Sequence, residues 1–264
     1  MNTFGVDENG IIITEVSLLK ITTPFKQIVE AVKDEVLQAF GSDIDSIYLY
    51  GSVANGRAIE GKSDLDIILV FKEKASEELS KKVKDLEVRL TSEYQPILRD
   101  VGFATTYTAD ALSEQERLGG LCFLKHLCVC IYGNDITKDI PGFKPSKEVA
   151  RGFNGDIDKS LTSYRTKLKE AVSEQEVKNL SQSIGKKIVR TGFSLVMPRT
   201  ESWTTNMQKS CDTFTYYYPE KKVEMEKALV WSKEGLADAT QVLQFLDTFG
   251  TWLTEEFDRE ILLK

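Results

Sequence analysis

SIYLYGSVANGRAIEGKSDLDIILVF, residues 46–71, reads as strand, tight turn, short helix and second strand. Ser46 to Tyr50 is rich in β-branched and aromatic residues, the composition of a strand. Gly51 ends that run, because a residue without Cβ lets the backbone turn sharply and approach a ligand closely. Ser52 follows, with a side chain suited to capping a helix and a hydroxyl beside the open N–H groups of its first turn. Such a helix start is a ready cradle for phosphate.

The second half of the stretch supplies charge. Asp64 and Asp66 open the strand Asp64-Leu65-Asp66-Ile67-Ile68-Leu69-Val70. Residues i and i+2 of a strand share a face. Two carboxylates on one face beside a phosphate cradle suit Mg²⁺, which takes one or two carboxylates together with substrate phosphates. A lone Asp-x-Asp is most often a solvated strand end. Here Gly51-Ser52, Gly56-Arg57 and Ser63 stand in fixed order around the pair, and that order gives the pair its meaning.

Gly51-Ser52-x3-Gly56-Arg57-x5-Ser63-Asp64-x-Asp66 resembles the signature of the polymerase-β-like nucleotidyltransferases over about 20 residues. The resemblance implies a metal-dependent enzyme that moves a nucleoside monophosphate from an NTP to an acceptor and releases pyrophosphate. It implies ATP as donor and two Mg²⁺ ions held by Asp64 and Asp66. Gly51 and Ser52 would bind the donor's phosphates. Ser63 would support the phosphates or the turn into the aspartate strand, and Arg57 would reach a phosphate or anchor the turn by an ion pair. The family also carries a third carboxylate on a neighbouring strand, as ligand of the catalytic metal and proton acceptor. Asp100, in the strand-like run Leu98–Thr105, is the residue that matches it, with Asp110 and Glu93 as the other two carboxylates for that place.

The chain has 264 residues, 41% apolar and 28% charged, the balance of a globular protein with room for two domains. Unbroken apolar runs such as Ile67–Phe71 are far from the roughly 20 residues that cross a bilayer. The N-terminal residues show neither a basic region nor an apolar core, so a cytoplasmic protein without membrane association is expected. A net charge of −7 argues against a broad nucleic-acid surface and favours a polycationic acceptor by steering. His126, Cys128 and Cys130 lack zinc-site spacing and sit among Leu, Val and Ile, which points to buried structural positions.

Along the chain, Asn9-Gly10 predicts a small hairpin with a strand at Ile11–Ile13. Pro24–Phe40 shows a helical apolar stripe stopped by Gly41, and Ala75–Glu93 is a second helix. Leu112–Cys122 is helix-compatible, and His126–Tyr132 reads as a last strand or a buried helical segment. Two prolines and a glycine in residues 138–146 mark a boundary. The expected fold class is therefore α+β: a nucleotidyltransferase domain with a mixed sheet over residues 1–140, then an all-helical bundle over residues 145–264. Expected helices there are Lys147–Val172, Glu174–Met197 stopped by Pro198, Asn206–Tyr218, Glu220–Ser232, Leu236–Phe249 and Trp252–Leu263.

This layout is similar to that of the streptomycin- and spectinomycin-type aminoglycoside adenylyltransferases. The resemblance implies a small-molecule acceptor and antibiotic resistance. Arg190, Arg199, Trp203 and Lys209 are candidates for the acceptor side by the same analogy, though as single residues they read more readily as solvated or packed helix positions. Transfer to tRNA or protein, and a non-catalytic nucleotide-binding module, are the competing readings.

Overall fold

The computed structural model describes residues 2–113 and 117–263. They form two compact units, one of residues 13–142 and the other of residues 1–12 with 143–264. The first dozen residues thus group with the helical unit, whereas the sequence reading assigned them to the catalytic domain.

Among its described residues the sheet unit holds four strands, β1 (Ile44–Tyr50), β2 (Leu65–Phe71), β3 (Val101–Tyr107) and β4 (Cys128–Gly133), in the order β3-β2-β1-β4. β1 pairs antiparallel with β2 and with β4, while β2 and β3 run parallel, so the sheet is mixed as expected. Its helices are α1 (Phe25–Phe40), α2 (Gly51–Ala54), α3 (Glu77–Tyr94), α4 (Thr108–Ala111) and α5 (Cys122–Leu127). The parallel pair needs a long crossover, and α3 provides it. The Ser76 hydroxyl caps α3 by accepting from the Leu79 N–H at 3.1 Å, and Glu77 and Glu78 in the first turn complement the helix dipole.

Strand alternation divides the sheet into two faces. Ile47 and Leu49 of β1, with Leu65, Ile67, Leu69 and Phe71 of β2, bury one face against Val32 and Val36 of α1 and Leu86 and Leu90 of α3. The other face carries Tyr48, Ile68 and Val70 against Leu124 and Cys128, with Tyr50 and Phe123 packed at its margin. Asp64 and Asp66 follow the alternation of Ile68 and Val70 and belong to this second face. Removing a core side chain such as Leu69 would cost about 2–5 kcal/mol.

Some local expectations change. The N-terminal hairpin reduces to a turn at Asp7–Gly10 and one bridge between Val6 and Ile12. The run after residue 121 is both of its alternatives in succession, helix to Leu127 and strand from Cys128. The helical expectation over Leu112–Cys122 takes in residues 114–116, which lie outside the described residues.

The second unit is helical: α6 (Lys147–Asn154), α7 (Ile157–Glu170), α8 (Glu174–Thr200), α9 (Met207–Tyr217), α10 (Lys222–Glu234), α11 (Ala239–Phe245) and α12 (Thr251–Phe257), with wide helical turns at Leu246–Gly250 and Asp258–Leu262. No strand occurs among its described residues after 143. The single helix expected over 147–172 breaks in two at Gly155-Asp156. Pro198 does not stop α8, which runs two residues further and ends where Glu201 turns left-handed at φ 47°. α8 is the central helix, packed by α6, α7, α9, α10 and α12. At Gly185 it approaches α10 so closely that a Cβ would lie 2.5 Å from the Ala228 carbonyl oxygen. Phe4 and Ile12 tie the N-terminal segment to this unit through three hydrogen bonds. The Phe4 N–H donates to Ser202 Oγ at 3.2 Å, the Trp203 N–H to the Phe4 carbonyl at 2.9 Å, and the Ile12 N–H to the Phe143 carbonyl at 2.9 Å.

Candidate active site

The aspartates meet at one end of the parallel pair. Register sets Leu65 beside Val101 and Asp66 beside Gly102, so Asp64 and Asp100 lie next to each other just before their strands begin. The ladder extends there, with the Leu65 N–H donating to the Asp100 carbonyl at 3.0 Å and the Arg99 N–H to the Ser63 carbonyl at 3.0 Å. Of the three carboxylates considered for the third position, only Asp100 adjoins the pair. Asp110 follows the opposite end of β3 and accepts from Thr106 Oγ1 at 3.4 Å, while Glu93 pairs with Arg89 along α3.

Gly51 shapes the neighbouring wall. Its φ is +75°, and a Cβ there would fall 2.1 Å from Asp66 Oδ2. The Asp66 carboxylate therefore lies against the Gly51 backbone in space that any larger residue would fill, which gives the glycine of the motif its reason. Ser52 is half-buried inside the first turn of α2 and does not cap it, because the helix begins one residue earlier than the sequence indicates. On the other side of Asp66, a Cβ at Gly102 would meet open space.

The remaining motif residues hold the loop between α2 and β2. The Arg57 N–H donates to the Ser52 carbonyl at 2.9 Å, its Nε donates to Asn55 Oδ1 at 3.0 Å, and its guanidinium stands 3.9 Å from Glu15. In this structure Arg57 anchors the turn. Ser63 Oγ accepts from the Ile59 N–H at 2.9 Å, which fixes the approach to the aspartate strand.

Two residues at this site escaped the sequence reading. Tyr50 lies directly opposite Asp66 across β1 and β2. Burial, then the charge of Asp66, pushes its hydroxyl up to about 12, so it stays protonated at neutral pH. Strand alternation alone could have put it on the aspartate face. Arg99 contacts Asp64 Oδ2 through one terminal nitrogen and donates from Nε to Asp100 Oδ2 at 3.0 Å. Partial burial disfavours its charge, but the Asp100 hydrogen bond and the charges of Asp64, Asp100 and Asp66 outweigh this and hold its pKa above the ordinary value. A basic residue beside Asp100 carries no distinguishing mark in the sequence.

Three carboxylates at one strand end are a hard-oxygen donor set of the kind Mg²⁺ takes. As the side chains stand, no three His, Cys, Asp or Glu groups among the described residues converge into a ready ion cage. His126 and Cys128 are buried at 3% and 6% exposure, and His126 Nδ1 is 3.5 Å from Thr14 Oγ1. The candidates from the helical unit have packing partners there. Arg199 pairs with Glu260 at 2.6 Å, Lys209 lies 3.6 Å over the Phe4 ring, and Trp203 is buried with its ring 5.4 Å from that of Phe153. Arg190 is exposed on α8.

Residues 26–108 match the family model described as nucleotidyltransferase domain. No curated protein matches the sequence. Among solved structures, spectinomycin adenyltransferase AAD(9) from Enterococcus faecialis, solved with ATP and spectinomycin, is similar with a TM-score of 0.56 and 13% identity, over 88% of this chain and 98% of that one. At that identity the likeness speaks for the fold, and it extends through both units.

Proposed function

We propose that the chain, whose residues 26–108 match a nucleotidyltransferase domain model, transfers AMP from ATP to a hydroxyl of a small-molecule acceptor, with release of pyrophosphate. The observation that carries this reading is the meeting of Asp64, Asp66 and Asp100 at one strand end, with the Asp66 carboxylate seated against Gly51.

Asp64, Asp66 and Asp100 would hold two Mg²⁺ ions. Bound there, the ions supply charge neutralisation at the polyphosphate and lower the pKa of the attacking hydroxyl. Gly51 and Ser52 receive the β and γ phosphates through backbone N–H and hydroxyl. Arg57 and Ser63 keep that loop in shape through Asn55 and Ile59. A carboxylate oxygen of Asp100 takes the proton of the acceptor hydroxyl as it attacks the α-phosphorus in line. The open side of Asp66 over Gly102 leaves room for reactants.

A small acceptor of aminoglycoside type is favoured by the net charge of −7 and by the likeness to a structure solved with spectinomycin. Resistance to such a drug is the corresponding role, in the cytoplasm where ATP is supplied. The test is incubation with labelled ATP, Mg²⁺ and a panel of aminoglycosides, tRNA and protein. Label on a drug, with stoichiometric pyrophosphate, is the expected result. Label on tRNA or protein would move the acceptor to a macromolecule, and no transfer under any condition would leave a nucleotide-binding module.

A further inference from the structure

We propose that Arg99 is a built-in counterion, a positioning residue that bridges Asp64 and Asp100 until a divalent cation displaces it. This rests on the reading of the site as metal-dependent. Three carboxylates crowd one strand end, and like charges so placed repel one another. Arg99 answers that repulsion from within the chain. Its guanidinium pairs with Asp64 through a terminal nitrogen and with Asp100 through Nε at 3.0 Å, joining the two carboxylates across the β2–β3 gap. The backbone bond from the Arg99 N–H to Ser63 fixes the residue at that gap.

The bridge is built to be exchanged. The Arg99 side chain is 55% exposed, and Asp64 and Asp100 are 26% and 46% exposed. Ion pairs as open as this are weak and break easily. A dication carries twice the charge and takes the same carboxylate oxygens. The guanidinium holds two of the three carboxylates that the cation would take. Arg99 therefore keeps Asp64 and Asp100 together before loading and sets the threshold that the cation has to exceed.

The test uses the full chain and Mn²⁺ as probe, with free Mn²⁺ read by electron paramagnetic resonance in the absence of nucleotide. Removing one positive charge a few ångströms from a dication is expected to tighten Mn²⁺ binding about tenfold in Arg99→Gln. Arg99→Lys keeps the charge without the two-pronged reach and is expected to fall between Arg99→Gln and the parent. Melting curves establish that each variant folds, and Arg99→Lys carries the test should Arg99→Gln not fold. Mn²⁺ affinity equal to or weaker than the parent's, in a folded variant, would overturn the counterion role and leave the metal-dependent reading standing. Absence of Mn²⁺ binding in parent and variants, with ATP added as well, would remove that reading and the counterion with it.

Discussion

Carboxylates in the two units carry their charge in opposite ways. In the helical unit Glu256 is 4% exposed, accepts from the Tyr218 hydroxyl at 2.7 Å and pairs with Arg259. Burial, and then that hydrogen bond, raises the Tyr218 pKa and keeps it a donor. Such a group is locked, since removing one partner leaves the other buried and unsatisfied. At the sheet end, Asp64 and Asp100 are partly open to water and so is the arginine between them. One arrangement is closed off from water, and the other is open to it.

The strongest challenge to that contrast is Asp66→Asn. Pyrophosphate release is expected to fall at least about a hundredfold, with the melting temperature unchanged, because under the proposed function the lost charge serves the reaction and not the core. Retained activity would put the sheet carboxylates on the structural side of the comparison. Gly51→Ala comes next. A left-handed φ costs an alanine about 1–2 kcal/mol, and the new Cβ collides with Asp66 Oδ2, so both stability and activity are expected to drop, activity about tenfold. Glu256→Gln should do the reverse of Asp66→Asn. Urea unfolding is expected to show a loss of about 1–3 kcal/mol, while the turnover of the folded fraction stays as it was.

The smallest expected effect is alkaline. Burial pushes the Cys122 thiol up from its ordinary 9.0 to about 12. As pH rises the unfolded chain loses this proton first. The contribution is therefore fully present below pH 9 and is lost as pH climbs towards about 12. Urea midpoints at pH 8 and pH 10.5 should show the decline, and Cys122→Ala should make it shallower.

The aspartate face was legible because strand periodicity and motif order are local properties. Ser46–Phe71 carries both within one hairpin-like segment, and the register opposite Asp100 follows once α3 is read as a crossover helix. The Arg99 bridge was not legible, because an ion pair spanning residues 64 and 99 depends on register and on rotamer choice. Helix ends failed for similar reasons. Nothing local distinguishes Gly155, which ends α6, from Gly185, which lies within α8 and lets α10 approach. Pro198 reads as a stop, yet α8 runs two residues past it.

The docking of Phe4 on Ser202 and Trp203 bears on how the polypeptide matures. The sheet unit is one uninterrupted span, residues 13–142, whereas the helical unit draws on both flanks of that span. During synthesis the sheet can assemble as soon as its own span has left the ribosome. Phe4 has to wait until Ser202 and Trp203, about two hundred positions downstream, arrive to receive it.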